Sequence, residues 1–295
     1  MTRSLASTPP LPGVAFIGGG QMARALIAGL CAAGQPAASL SVADISPEAR
    51  SALERDFPGI HTTAEPAEAA ARAGLWVFAV KPHQMEAVAC SLRALAGNLQ
   101  PTVVSVAAGT RVAQLESWLG AGVPVVRTMP NRPAFVGAGI TGLYASAAVG
   151  HGPREHAAAL MQAAGSTVWV EEERLLDAVT AVSGSGPAYF FLLIEALAAA
   201  GEAVGLPADT ARELAVATAY GSGKMARDTG APPAELREQV TSKGGTTAAA
   251  LAVFEAGGFR PLVAAAVAAA NQRAVELAGP AVATAAPATT APRSA

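Results

Sequence analysis

The stretch Val-Ala-Phe-Ile-Gly-Gly-Gly-Gln-Met-Ala at positions 14–23 decides the fold. A short β-branched and aromatic run passes into Gly18-x-Gly20-x-x-Ala23, and helix-forming residues follow over 22–30. Glycine at 18 permits a tight turn, Gly20 lets backbone amides approach a diphosphate, and a small residue at 23 allows close helix–strand packing. The plain structural reading is a glycine-rich turn, since 30 glycines make stray Gly-x-Gly strings common. A strand before it and a helix after it turn the spacing into a dinucleotide-site signature.

Working outward, apolar runs at 40–42, 75–80, 102–106 and 123–127 alternate with alanine-rich segments of helix length. Continuous apolar strands separated by helices argue for a parallel sheet covered on both faces. Beyond about Val170 the strand signal stops. Helix follows helix, with Pro207, Pro232, Pro233 and Pro261 at starts and Gly205, Gly230, Gly257 and Gly258 at ends. The expected architecture is α/β: a Rossmann-type parallel sheet over 13–172, then an all-helical substrate and dimerisation domain over 173–279. The Pro/Ala/Thr/Ser segments 1–12 and 280–295 read as disordered tails.

Composition narrows the partners. The chain has 295 residues, 52% hydrophobic and 14% charged, which excludes a disordered chain. The apolar excess is mostly alanine, and unbroken runs such as 262–270 fall short of the ~20 residues of a spanning helix, so no membrane is expected. Twenty basic and 22 acidic side chains leave no basic surface for nucleic acid. Cys31 and Cys90 cannot build a disulfide framework and suit a reducing cytoplasm. His61, His83, His151 and His156 have no metal-ligand spacing, so no metal is expected.

Asp44 closes the second strand run. An acidic residue there takes the adenine ribose in NAD-binding folds and repels a 2′-phosphate, whereas Ser46 and Arg50 close by could bind one; the other reading of Asp44 is a turn residue before Pro47. The run Ala79-Val80-Lys81-Pro82 ends a strand in a charge and a proline where ligands bind in open α/β sheets. The chain has only three lysines, and helix capping is the alternative role for Lys81. Ser105-Val-Ala-Ala-Gly109 follows the next strand with small residues only, suited to a flat ring or to tight helix packing. Two later blocks, Ser183-Gly-Ser-Gly-Pro187 and Ser242-Lys-Gly-Gly-Thr-Thr247, combine hydroxyls, glycines and a helix start. Each is a cap or a set of donors toward a small anion such as a carboxylate.

Together with Arg-Thr-Met-Pro-Asn at 127–131 and Asp-Ala-Val-Thr-Ala-Val at 177–182, these blocks resemble the pyrroline-5-carboxylate reductase family over roughly residues 14–278. The resemblance implies hydride transfer from NADPH to the C=N carbon of 1-pyrroline-5-carboxylate, giving L-proline, with NADH open because of Asp44. It implies that Ile17, Gly18, Gly19, Gly20, Gln21, Met22, Asp44, Ala79, Val80, Lys81, Pro82, Ala107, Ala108 and Gly109 line the cofactor, with Glu173 and Gln239 close to it. Thr247 and Ser185 would act on the substrate, with Ser183, Gly186, Ser242, Gly244, Gly245 and Thr246 around it. A homodimer interlocked through its helical domains is implied too, with assembly of dimers into a larger oligomer left open. Where the family commonly has Pro and Thr, this chain has Lys243 and Arg132; Lys243 either pairs with the substrate carboxylate or points to solvent.

A protonated cyclic imine is already an electrophile, so its reduction needs orientation, carboxylate capture and water exclusion more than a strong acid. That requirement matches blocks of Ser, Thr and Gly. Two other readings compete: a β-hydroxyacid dehydrogenase, for which Lys224 would be the acid/base, and a non-enzymatic dinucleotide-binding sensor.

Overall fold

Strand alternation explains why the early strands read as unbroken apolar runs. In the computed structural model, which describes residues 11–279, β1 (Val14–Ile17), β2 (Leu40–Ala43) and β4 (Leu75–Phe78) are buried on both faces. Val14, Phe16, Val42 and Val77 join Leu26 and Ile27 in one core cluster. Ala15, Ile17, Trp76 and Phe78 point the other way, against Met85, Leu92 and Leu115. Period-2 side chains between two helical layers must be apolar at every position.

The remaining strands are β3 (His61–Thr63), β5 (Thr102–Ser105), β6 (Val125–Met129), β7 (Gly139–Ala145) and β8 (Gly165–Trp169), in the order β3-β2-β1-β4-β5-β6-β7-β8. Pairing is parallel from β3 across to β6. Beyond the parallel Rossmann-type part the sheet is mixed: β7 runs antiparallel to β6, and β8 runs parallel to β7. The sheet extends here because Gly139 and Gly142 let other backbone and side chains approach. A Cβ at 139 would lie 2.8 Å from the Ala164 carbonyl oxygen, and one at 142 would lie 2.7 Å from a Val179 methyl.

Helices α1 (Gln21–Ala32), α2 (Pro47–Asp56), α3 (Pro66–Ala70), α4 (Pro82–Leu99), α5 (Val112–Leu119), α6 (His151–Gln162) and α7 (Leu175–Val179) accompany this sheet. They form one unit that runs to Thr180 and takes back the chain from Arg273. Of the expected tails, residues 1–10 and 280–295 lie outside the described residues; Leu11 packs against the first core cluster.

The second unit, Ala181–Gln272, holds α8 (Gly186–Ala203), α9 (Ala208–Thr229), α10 (Pro233–Gln239), α11 (Thr246–Ala256) and most of α12 (Phe259–Ala278). Pro207 and Pro232 occupy N-cap positions, and Gly230 ends α9 in a left-handed conformation, as the sequence predicts. Gly201 brings α8 and α9 together, with a Cβ there 3.1 Å from that of Ala211. Little else of the unit is buried: Phe190, Phe191 and Leu192 are 65%, 61% and 66% exposed. The helical run Leu175–Ala203 is, by length and composition, long and apolar enough to cross a membrane. Unbroken apolar runs alone miss it, because its hydropathy accumulates over alanines on either side of Glu195. Its first turn carries Asp177, ion-paired to Arg111 and Arg127.

Candidate active site

The glycine turn is held from three sides. Gly18 has φ +105°, and a Cβ there would lie 2.8 Å from the Ala79 carbonyl oxygen, so only glycine fits. Its amide donates to the Ala43 carbonyl (2.8 Å), and the Ala79 amide donates to that of Ile17 (2.9 Å). Gly19 donates its amide to Asp44 Oδ2 at 2.8 Å. Gly20 is different: it is exposed, and a Cβ there would meet nothing within 4 Å. It is the N-cap of α1, no side chain caps that helix, and the first helical bond runs from Arg24 N to the Gly20 carbonyl (3.0 Å). The amides ahead of Arg24 lack helical acceptors and carry the positive end of the helix dipole. Ala23, fully buried, provides the close packing expected of it.

Asp44 serves as a turn residue: its Oδ1 accepts the Ser46 amide (2.9 Å) while Oδ2 holds Gly19. Ser46 caps α2 by accepting the Ala49 amide, and the Arg50 guanidinium donates to the Asp44 carbonyl at 2.7 Å. A hydroxyl and a guanidinium thus stand beside the end of β2. Lys81 sits at the N-cap of α4, exposed and making no capping bond. Val80 lies against Gly18, where a Cβ would be 3.1 Å from its Cγ1.

The loop Ala107–Gly109 leaves the carboxyl end of β5, and the Val106 amide donates to the Phe78 carbonyl (3.1 Å). Ala107 is buried and Ala108 exposed. Gly109 has φ +79°, and the returning end of α12 comes close, with Leu277 O 3.2 Å from where a Cβ would stand. The first unit therefore gathers Ile17 to Met22, Asp44, Ala79 to Pro82 and Ala107 to Gly109 along the carboxyl edge of adjacent strands.

Glu173 stands in a buried ion network. Its Oε1 accepts the Val112 amide (2.9 Å) and pairs with Arg127 Nη1 (3.0 Å). Four residues on, Asp177 pairs with Arg111 Nη2 (2.9 Å) and Arg127 Nη2 (3.5 Å). Arg127 and Asp177 side chains are only 4% and 3% exposed. Nε of both arginines is buried without a hydrogen-bond partner. Burial, then the Glu173 charge, pushes the Glu116 carboxyl above its ordinary range. Burial, then Glu173 and Glu116, raises the Tyr144 phenol. Arg127 and Asp177 lie in two of the motif blocks, yet the sequence alone gives neither a role. Two opposite charges fifty positions apart give no spacing signal, and only the pairing of β5 with β6 next to α7 joins them.

In the second unit, the block Ser183 to Pro187 leads into α8 as the sequence suggests: Ser185 is its N-cap and Pro187 lies in its first turn. Thr180–Gly184 is a π-turn that continues α7 toward α8. Ser185 holds helical dihedrals with no side-chain cap, and Pro187 has no amide to offer. Gly186 is buried. The 242–247 block matches expectation: α11 starts at Thr246 with N-cap Gly245 and no side-chain cap. Gly244 has φ +74° with open space, and a Cβ at Gly245 would strike Ser242 Oγ. Lys243 is exposed and Gln239 ends α10, exposed. Lys224 pairs with Asp228 on the exposed face of α9.

A parallel sheet crossed at its carboxyl edge by a glycine turn, with an uncapped helix behind it, defines the class of dinucleotide-dependent oxidoreductases. Within that class the chain belongs to the pyrroline-5-carboxylate reductase family. The model for pyrroline-5-carboxylate reductase dimerisation matches residues 173–277, and that for NADP oxidoreductase, coenzyme F420-dependent, matches 13–109. The pyrroline-5-carboxylate reductase of Pseudomonas aeruginosa is 49% identical over 269 residues, covering 90% of this chain and 97% of that protein. The solved structure of the Coxiella burnetii enzyme superposes with TM-score 0.88 at 39% identity, over 90% of this chain and 98% of that one. The Plasmodium falciparum pyrroline carboxylate reductase, solved with NADP bound, gives TM-score 0.78 at 27% identity, over 91% and 98%. The match to a dimerisation model makes the chain an oligomer-forming one.

Proposed function

We propose that this chain reduces 1-pyrroline-5-carboxylate to L-proline with NADPH as the hydride donor, working in the cytoplasm as a homodimer. The observation that carries the cofactor is Gly20: an exposed glycine with empty space before it, over a helix start whose amides no side chain uses. That arrangement suits a diphosphate. Family membership across both units supports the substrate. Arg50 and Ser46, beside the end of β2, are assigned to the 2′-phosphate; Asp44, with both oxygens on backbone amides, is assigned to holding the turn beneath the ribose.

When bound, the nicotinamide supplies a hydride to the imine carbon, whose C=N pair then moves to nitrogen. This chain's residues bind and orient. The amides of Gly20, Gln21 and Met22, ahead of the first helical bond, would hold the diphosphate, and the side-chain-poor loop Ala107 to Gly109 leaves room for the flat ring. Thr246 and Thr247, at the uncapped start of α11, donate to the substrate carboxylate or hold the ring nitrogen. Ser185 adds a hydroxyl with no capping duty. An imine that arrives protonated needs no strong acid from the chain.

The test follows absorbance of NADPH and, separately, NADH on addition of pyrroline-5-carboxylate. Oxidation that stops without the imine and yields proline is expected. Tight NADPH binding with no oxidation would instead identify a sensor, and turnover of a hydroxyacid alone would identify a β-hydroxyacid dehydrogenase.

A further inference from the structure

We infer that Asp177 is a positioning residue for hydride transfer: through Arg111 it fixes the loop Ala107–Gly109, and with it the angle of the nicotinamide ring. The inference rests on the functional reading above. Asp177 does not touch that loop. It holds Arg111, the N-cap residue of α5, two positions beyond Gly109. Glu173, one helical turn earlier, takes the amide of the next residue, Val112. Two carboxylates, one just ahead of α7 and one in its first turn, therefore grip two consecutive residues at the point where the loop becomes helix. Arg127 in β6 ties both carboxylates to the sheet. From the other side, Thr128 Oγ1 donates to the Ser105 carbonyl at 2.9 Å, fixing the end of β5.

The network's composition suits positioning better than stability. Buried ion pairs are seldom more stabilising than apolar residues of the same volume, and here two guanidinium Nε groups are left without partners. What such a network supplies is direction: Asp177 Oδ2 meets Nη2 of Arg111 at one bearing, and an apolar replacement would leave the loop free to shift. A ring displaced by about 1 Å can lose on the order of a hundredfold in rate while the distant diphosphate contacts stay intact.

The test is Asp177→Asn, which keeps the shape and one acceptor, beside Arg111→Lys, which keeps the charge and loses the fixed geometry. Three quantities are measured on each full-length protein: NADPH Kd, kcat with the imine, and the emission of bound NADPH. A kcat at least 10-fold lower, a Kd within about 3-fold of the parent and a changed nicotinamide emission support positioning. A lower Tm with unchanged kcat and emission per folded molecule would mean the network is structural only, and a Kd rise with unchanged kcat would make it a binding element; either overturns the inference. Should one variant fail to fold, the other carries the same measurements. A parent protein inactive toward the imine would defeat the functional reading. The emission comparison still judges the positioning claim in that case, because it needs no turnover.

Discussion

Two substitutions in one turn separate a glycine that the fold needs from one that only the ligand needs. At Gly18, φ is +105° and the Ala79 oxygen stands 2.8 Å from a Cβ. Alanine there pays about 1–3 kcal/mol of backbone strain before any clash is counted. At Gly20, φ is −67° and a Cβ meets nothing within 4 Å. Alanine at that position gains about 0.4–1 kcal/mol from a stiffer unfolded chain. It loses a comparable amount because glycine is the better N-cap. At roughly 2–4 °C per kcal/mol for a domain of this size, Gly20→Ala should move Tm by less than about 3 °C, whereas Gly18→Ala should lower it by more. Binding should run differently. A methyl at position 20 stands between the α1 amides and a diphosphate, and losing charge-assisted hydrogen bonds of ~1.5–3 kcal/mol raises the NADPH Kd roughly 10- to 150-fold. Thermal melts and NADPH titration of the two variants side by side make the comparison. If Gly20→Ala binds NADPH within 2-fold of the parent, the space above Gly20 is not where the diphosphate lies.

Four further outcomes follow from named contacts. Thr247→Ala should lower kcat/KM roughly 10- to 100-fold in steady-state kinetics, the loss of one oriented hydrogen bond; unchanged kinetics would remove Thr247 from the site. Arg50→Ala should raise KM for NADPH roughly 10- to 150-fold and leave that for NADH unmoved, as one charge-assisted bond to a 2′-phosphate is worth about 1.5–3 kcal/mol. Arg127→Met leaves Glu173 and Asp177 without their shared cation and should cost about 3–5 kcal/mol in denaturant unfolding. Glu116, whose carboxyl is raised by burial and by Glu173, is more easily protonated folded than unfolded. Its ionisation therefore opposes folding above that raised value, and the penalty fades as pH falls through it. Glu116→Gln should accordingly stabilise at neutral pH and lose that advantage at acid pH, read by melts across the range.

The glycine turn, the strands flanking it and the helical second half are legible because each has a strong local signal. Val14 to Ile17 must be apolar at every position, and Gly18 must be glycine for backbone reasons. Strands β3, β7 and β8 carry weaker signals. His61–Thr63 is a short polar edge, and Gly139–Ala145 is broken by two glycines that exist for close packing with residues far along the chain. The run 180–184 shows the limit of local reading. Ser, Gly and Pro there mark the start of α8 at Gly186, yet nothing local announces the π-turn over Thr180–Gly184 that leads into it. Candidate site residues on the first unit were visible as motifs. The network that steadies one of their loops was not, since Arg111, Arg127, Glu173 and Asp177 are joined only by strand order and ion pairing.

The most direct measurement uses NADPH deuterated at the transferable position of the nicotinamide ring, mixed with protein and pyrroline-5-carboxylate, with the product analysed by mass spectrometry. The account predicts L-proline one mass unit heavier, the deuterium on the carbon that was doubly bonded to nitrogen. Unlabelled proline, or labelled cofactor recovered unchanged beside intact imine, would contradict it.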